Sequence, residues 1–430
     1  MAVKELDVFI AGVHAGMLSQ DGSGAVSFRY LPGYRGVPLS SAMPLATRTY
    51  HDKIVLPYLW GLLPEDPAAR RQAVAGERIS PNNPFALLGV IGLDCPGAVQ
   101  FCKPGSQALR EERLVPVPDA EIARRLALGR VEGSGWIAVN EHWSLGGQQS
   151  KFALRRKGDA WFSCEGSAAT THILKSGVRG LAQQALNEYV CMRVANACDI
   201  ATAAVEYCEF KGANGTEPAI IVERYDRLVD GEKVIRLHQE DFCQALGCFP
   251  DNKYTQYGGP SSADVLSLLL STGRMAQENI VGFLQMLFFN YLVAGTDAHA
   301  KNYSLMLAAD GSHQLAPVYD VASAVPYIES DRWRVNPPKM AMSIGGENRV
   351  GCVALGNLEK MVAQCGLNQV GITAEGCAHL ITLYADAIPK KLAEVFDGLE
   401  ETEVAIAAGQ LRSRMEEPVA KLCDKAKARL

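Results

Sequence analysis

The chain of 430 residues is long for one domain and ample for two or three. Its 48% hydrophobic content is ordinary for a globular protein, and its net charge of −5, from 42 basic and 47 acidic residues with no long run of either sign, excludes an obvious nucleic-acid-binding surface. The twelve cysteines include no C-x-x-C pair, and no histidine stands at zinc-ligand spacing beside Cys243 and Cys248, so buried thiols in a reducing cytoplasm are expected rather than metal or disulfides.

Residues 4–30 alternate and turn. Leu6–Ile10, Gly16–Ser19 and Val26–Tyr30 read as a β-meander with Asp21-Gly22 at a hairpin turn. Residues 55–75 carry a helical pattern broken at Pro64 and Pro67, and 84–91 form another short apolar helix. Residues 1–105 are therefore expected to be a small β-rich cap with helices. Nothing in it looks catalytic, and it reads equally as a packing or partner surface. Residues 106–135 are polar and rich in proline and glycine, a linker with one short helix at Asp119–Leu128 capped by Asp119.

Residues 136–227 open with Trp143-Ser-Leu-Gly-Gly-Gln-Gln-Ser-Lys-Phe-Ala-Leu154, a glycine loop leading into a strand. Gly146 and Gly147 let backbone N–H groups turn towards phosphate oxygens, although a bare Gly-Gly turn alone is more often a hairpin. Thr170–Lys175 is a β-run ending in a lysine. A lone strand lysine is normally a solvated charge. Here loop and strand come in kinase order, and Lys175 reads as a phosphate ligand. Asn187–Ala197 is an amphipathic helix. Its Glu188 either pairs with Lys175 or answers the helix dipole. Pro218–Asp226 is a buried strand running into polar residues, either a nucleotide hinge or, through Glu223, Arg224 and Asp226, a salt-bridge knot.

Helices dominate 228–430. His238–Leu246, Ser262–Ser271 and Gln277–Ala294 read as three, and 357–366, 373–398 and 401–430 follow, the last interrupted by Pro418. The apolar stretch Val281–Ala294 is too short to span a bilayer, and the first residues lack the apolar core of a signal peptide, so a cytoplasmic protein without a membrane partner is expected. Gly295 ends the long helix by favouring left-handed geometry. Thr296, Asp297, His299, Lys301 and Asn302 arrive at once, before the strand-like Tyr303–Leu307. Phosphoryl transfer needs such a set: a carboxylate for the attacking hydroxyl's proton and an amide oxygen for magnesium. Asp297 to Asn302 has the D-x-x-x-x-N spacing of a kinase catalytic loop, and Asp320 follows Asn302 by 18 residues, where a kinase places its other magnesium ligand. His299 reads equally as structural or catalytic.

Val222-Glu-Arg-Tyr-Asp-Arg227, Gln239-Glu-Asp-Phe-Cys-Gln-Ala-Leu-Gly247, Gly295-Thr-Asp-Ala-His-Ala-Lys-Asn302 and Pro317-Val-Tyr-Asp-Val-Ala-Ser-Ala324 together resemble the HipA family, bacterial serine/threonine kinases that act as the toxin of a toxin–antitoxin pair. Leu62-Leu-Pro-Glu65 and Asn83-Pro-Phe-Ala-Leu-Leu88 extend the resemblance over nearly the whole chain.

The resemblance implies an α+β fold: a protein-kinase-like bilobal core with a β-rich N-lobe and an all-helical C-lobe, preceded by the small β-rich cap. It implies ATP and Mg2+ as cofactors. Asp297 would be the base, with His299 and Lys301 neutralising or polarising charge, and Asn302 and Asp320 would be the metal ligands. Ser144, Gly146, Gly147, Gln148, Lys151 and Lys175 would surround the phosphates, and Val222, Glu223 and Tyr225 the adenine. Ser144 matches the serine that family members autophosphorylate; the residues alone allow a loop-entry serine. A small helix-turn-helix antitoxin is the implied partner, with DNA reached only through it, and an aminoacyl-tRNA synthetase is an implied protein substrate. A small-molecule kinase, or a silent corepressor bound to the antitoxin, are the alternatives.

Overall fold

Leu6, Val8 and Ile10 alternate with half-exposed neighbours in β1 (Lys4–Ile10), the period of a strand with one buried face. The structure, a computed structural model, describes residues 4–106, 112–132, 141, 143–147, 149–178, 180–213, 215–328 and 337–430. It divides into two compact units. The first contains Met1–Gly180, Glu206–Asp251 and Ser304–His313; the second contains Leu181–Val205, Asn252–Tyr303 and Gln314–Leu430.

In the first unit, β1 joins β2 (Val13–Gln20), β3 (Val26–Tyr30), β4 (Thr49–His51) and β5 (Val99–Cys102) in the order β4-β3-β2-β1-β5. Helices α1 (Asp52–Gly61), α2 (Pro67–Ala73) and α3 (Pro84–Ile91) lie between β4 and β5. Pro67 begins α2 rather than breaking a helix, because its missing N–H costs nothing in a first turn already capped by Asp66. A second sheet has the order β10-β11-β9-β7-β8-β6, from β6 (Glu112–Val117), β7 (Lys151–Lys157), β8 (Ala160–Gly166), β9 (His172–Lys175), β10 (Val205–Gly212) and β11 (Gly215–Glu223). The stretch read as a linker thus holds an edge strand, β6, as well as α4 (Asp119–Glu132). Pro116 fits there because an edge strand can spare a donor. One apolar cluster runs from Val8, Phe28 and Tyr58 through Trp143, Phe152 and Leu174 to Ile221.

A buried ionic core sits in the same unit. Asp94 meets Arg224 at 3.3 Å, Arg227 at 2.9 Å and Arg236 at 3.0 Å, while Thr170 Oγ1 donates to it at 2.7 Å. Asp226 binds Arg224 at 2.9 Å and accepts from the Gly97 N–H at 2.6 Å. The expected knot therefore exists for Arg224 and Asp226, but Glu223 is exposed and outside it. Removing one partner from such a group costs about 3–5 kcal/mol, since the others stay buried and charged.

After the hairpin β12 (Arg227–Asp230) and β13 (Lys233–Arg236), the segment expected as one helix at His238–Leu246 splits. Gln239–Asp241 is a strand, β14, paired with β15 (Ser304–Leu307), and only Phe242–Ala245 is helical. Asp241 causes the switch: its side chain accepts from the Gln244 N–H, closing a capping box. Glu240 on β14 is fully buried. Its Oε1 accepts from the Ser41 N–H at 2.8 Å, its Oε2 has no partner, and burial pushes its carboxyl up to about 7.

The second unit is mainly helical: α5 (Gln184–Ala197), Ser262–Leu270, Ala276–Val293, Leu355–Cys365, Ala374–Asp397 and Ala405–Lys427, with a hairpin at Lys339–Ile344 and Glu347–Arg349. The last helix runs through Pro418 instead of stopping there. Its apolar face carries it past: Leu411, Met415, Val419 and Leu422 are all buried. Among the described residues no helix is long and apolar enough to cross a membrane.

Candidate active site

The Ala276–Val293 helix delivers the polar loop of the second unit. Its left-handed terminal residue is Ala294, at φ 54, not Gly295. Gly295 is needed for a different reason: a Cβ there would lie 2.1 Å from Asn290 Oδ1. The Gly295 N–H donates to the Asn290 carbonyl at 2.7 Å, which turns the chain into the loop.

Within the loop, the Asp297 carbonyl accepts from the His299 N–H at 2.8 Å and from the Asn302 side-chain amide at 2.9 Å. With its nitrogen so engaged, the Asn302 side chain presents Oδ1, a hard acceptor. Asp297's own side chain is 72% exposed, and a carboxylate so placed can reach a second molecule. Tyr254 donates its hydroxyl to Asp297 Oδ1. His299 is buried, with Nδ1 unpartnered and Nε2 4.0 Å from Asp297 Oδ1. Burial first, then the positive charge of Lys253, pushes its imidazole down to about 3, against the pull of Asp320. Lys301, two residues on in the same loop, is itself largely buried.

The Tyr319 hydroxyl donates to the Lys301 carbonyl at 2.8 Å, holding the next segment beside the loop. Ser323 Oγ donates to the Val293 carbonyl at 2.6 Å and the Ala324 N–H to the Ala294 carbonyl at 3.0 Å. Between these anchors Asp320 has φ 61, in the left-handed region. That geometry costs a non-glycine residue on the order of 1 kcal/mol. The sequence carries no sign of it.

In the first unit, Ser144 is fully buried. Its hydroxyl donates to the Leu62 carbonyl, and its N–H donates to the Asp94 carbonyl at 3.0 Å. Gly147, at φ 103, accepts from the Glu65 N–H at 3.1 Å, and a Cβ on it would stand 2.7 Å from Lys151 Nζ. Residues 62–65 and 94 therefore clasp the glycine loop, a role for the first hundred residues that composition did not suggest. Gln148 lies outside the described residues. Lys151 and Lys175 are directly opposite on β7 and β9. Val222 is buried on β11 opposite Ile173, and Glu223 is exposed at its end. The Tyr225 hydroxyl donates to Gln239 Oε1 at 3.1 Å. Glu188 is fully buried on α5.

The residues fit the groups expected of them. Paired lysines and a left-handed glycine suit a polyphosphate. Asn302 Oδ1 and the Asp320 carboxylate suit magnesium, which takes one or two protein oxygens plus phosphates and water. Among the described residues no group of three or more His, Cys, Asp or Glu could form a dedicated metal cage. Sequence reasoning missed Tyr254, whose only signal was an aromatic in a polar loop, and Asp94, a lone acid amid apolar residues.

Comparison with known proteins gives a consistent result. The profile for the HipA-like C-terminal domain matches residues 143–392, more than half the chain, and that for the HipA N-terminal domain matches 6–102. Y4mE of Sinorhizobium fredii is 32% identical over 410 residues, covering 92% of this chain and 93% of that protein. The serine/threonine-protein kinase toxin HipA of Shewanella oneidensis is 29% identical over 395 residues, covering 87% of this chain and 85% of that protein. A solved Shewanella oneidensis structure of HipA with HipB and operator DNA matches with a TM-score of 0.76 at 26% identity, over 98% of this chain and 99% of that one. The fold is thus α+β and of the kinase type expected.

Proposed function

This chain belongs to the HipA family, and we propose that it is an ATP- and magnesium-dependent serine/threonine protein kinase acting as the toxin of a toxin–antitoxin pair. The observation that carries this reading is the closed 297–302 loop. It leaves the Asp297 carboxylate exposed and commits the Asn302 amide nitrogen to the Asp297 carbonyl, so that Oδ1 is what Asn302 can offer a metal, while Asp320 is held in a strained backbone beside it. Strain of that kind persists where the surrounding structure enforces it, commonly at functional sites.

In this mechanism Asp297 orients the acceptor hydroxyl and takes its proton. Lys301 neutralises developing charge, and neutral His299 acts only through hydrogen bonding. Lys151, Lys175 and the backbone of Gly146 and Gly147 bind the triphosphate. Asn302 and Asp320 would hold magnesium, which when bound screens the phosphate charges. Val222, Glu223 and Tyr225 flank the adenine, with Glu223 acting through its backbone because its side chain points to solvent.

The partnership is inferred from the solved relative, which is in complex with HipB and operator DNA. A small helix-turn-helix antitoxin is the partner of this chain, and DNA is reached through it. The target class is an aminoacyl-tRNA synthetase, and autophosphorylation of Ser144 turns the enzyme off. The test is incubation with labelled ATP, magnesium and a bacterial lysate, followed by identification of the labelled band. Label that appears with the wild-type chain and not with Asp297→Ala supports the reading; no transfer by wild type refutes it.

A further inference from the structure

The loop at 252–259 belongs to the second unit and is closed on itself. Its turn Thr255–Tyr257 ends at Gly258, φ 84, and Gly259 packs so tightly that a Cβ would fall 1.7 Å from the Asn252 carbonyl oxygen. Tyr254 projects from this loop. Its hydroxyl donates to Asp297 Oδ1, and its ring meets the His299 ring edge-on at 4.9 Å and 88°. Lys253, 5% exposed, sets its ammonium 5.7 Å above the Tyr254 ring, and Tyr257 meets that ring edge-on at 6.1 Å. A tyrosine braced on three sides therefore grips an otherwise exposed carboxylate.

That grip matters because the terminal torsion of an aspartate is soft. A base must meet the acceptor hydroxyl at about 3 Å, and a carboxylate that wanders loses rate. A carboxylate has roughly four lone-pair sites, so a single donor fixes its orientation without by itself blocking an acceptor. We propose that Tyr254 is a positioning residue that holds the Asp297 carboxylate in one orientation for the acceptor hydroxyl. This rests on the phosphoryl-transfer reading above. Tyr254 touches neither nucleotide nor acceptor in this account; it acts through Asp297.

The experiment uses the full chain, labelled ATP, magnesium and bacterial lysate protein as acceptor, with wild type, Asp297→Ala, Tyr254→Phe and Tyr257→Phe compared. Removing one hydrogen bond to a charged group should lower the apparent kcat of Tyr254→Phe about tenfold, with the KM for ATP unchanged. Its melting temperature should stay near wild type, since the ring contacts remain. Tyr257→Phe keeps the edge-on ring contact that braces Tyr254 and should keep wild-type kcat. A Tyr254→Phe chain with undiminished or raised kcat, in a series where Asp297→Ala is dead, overturns the positioning role and leaves the kinase reading standing. An equal loss in Tyr257→Phe, or a raised KM for ATP, makes the effect one of loop packing and also overturns it. No transfer by wild type overturns both.

Discussion

Asn187 and Ser323 exchange two hydrogen bonds: the Asn187 amide donates to the Ser323 carbonyl at 2.7 Å, and its oxygen accepts from the Ser323 N–H at 3.2 Å. Both residues are buried. The pair fastens α5 to the segment in which Asp320 takes its left-handed conformation. Asn187→Ala should destabilise the fold by about 1–3 kcal/mol, because it leaves a buried N–H and a buried carbonyl unpaired. It should also weaken magnesium-dependent nucleotide binding, but less than Asp320→Asn, which removes a formal charge beside the divalent ion. Asp320→Gly should bind nucleotide poorly yet melt higher than Asp320→Asn, since glycine takes φ 61 without strain. Calorimetric titration with and without magnesium, beside thermal melts, separates these effects. Equal nucleotide affinity of wild type with and without magnesium would contradict the metal assignment.

Asp297→Ala should melt within about 0.5 kcal/mol of wild type, as expected of an exposed side chain. Phosphoryl transfer should fall by about 10²–10⁴-fold, the range of a lost general base. Incorporation of labelled phosphate measures it. Near wild-type transfer would remove Asp297 from its role.

Ser144 has no room for a phosphoryl group while its hydroxyl rests on the Leu62 carbonyl. A phosphoserine carries about −1.5 to −2 charges, which the clasp at 62–65 and 94 cannot bury. The loop must therefore leave its seat when modified. Protein prepared in active form should carry phosphate at Ser144, bind ATP weakly and be cut by protease near residues 143–151; Asp297→Ala protein should show none of these. Mass spectrometry with limited proteolysis decides the matter. A phosphorylated form that binds ATP normally would refute the switch.

Glu240 makes stability depend on pH in a direction unusual for a carboxylate. Burial raises its folded pKa from 4.5 to about 7, so folding favours the protonated form. The contribution is full below pH 4.5 and is lost as pH rises through 7. His238, buried beside it in sequence and lowered to about 4, acts oppositely, losing its contribution as pH falls below 6.5. Glu240→Gln removes only the first effect. Relative to wild type it should gain up to about 3 kcal/mol between pH 4.5 and 8, while the Ser41 N–H keeps an acceptor. Urea unfolding of both proteins at pH 5 and pH 8 gives the comparison. An unchanged difference between the two proteins across that range would show that Glu240 does not titrate in it.

What could be read from residues alone followed from local rules. The α3 helix at Pro84–Ile91 announces itself by Asn83 and Pro84, a cap and a first-turn proline. The order of helix, polar loop and strand around Asp297 was legible because apolar periodicity stops and restarts there. The strand Gln239–Asp241 was not legible: its partner lies more than 60 residues away at Ser304–Leu307, and the apolar residues just after it have helical spacing. Ala294 outdid Gly295 as the left-handed residue because crowding at Asn290, invisible in one dimension, had already claimed the glycine. The Tyr254–Asp297 contact spans 43 residues and obeys no spacing rule.

The ionic core of the first unit has a consequence for the order of events at the ribosome. Asp94 waits for Arg224, Arg227 and Arg236, which lie 130, 133 and 142 residues further along. While the chain is being made, that carboxylate must stay hydrated, although the apolar residues around it are ready to collapse. The first sheet can gather its hydrophobic side chains early, but the seat of the glycine loop, built on Asp94 and Leu62, is finished only once the β12–β13 hairpin has emerged. The glycine loop is thereby left without its finished seat until more than half of the chain exists.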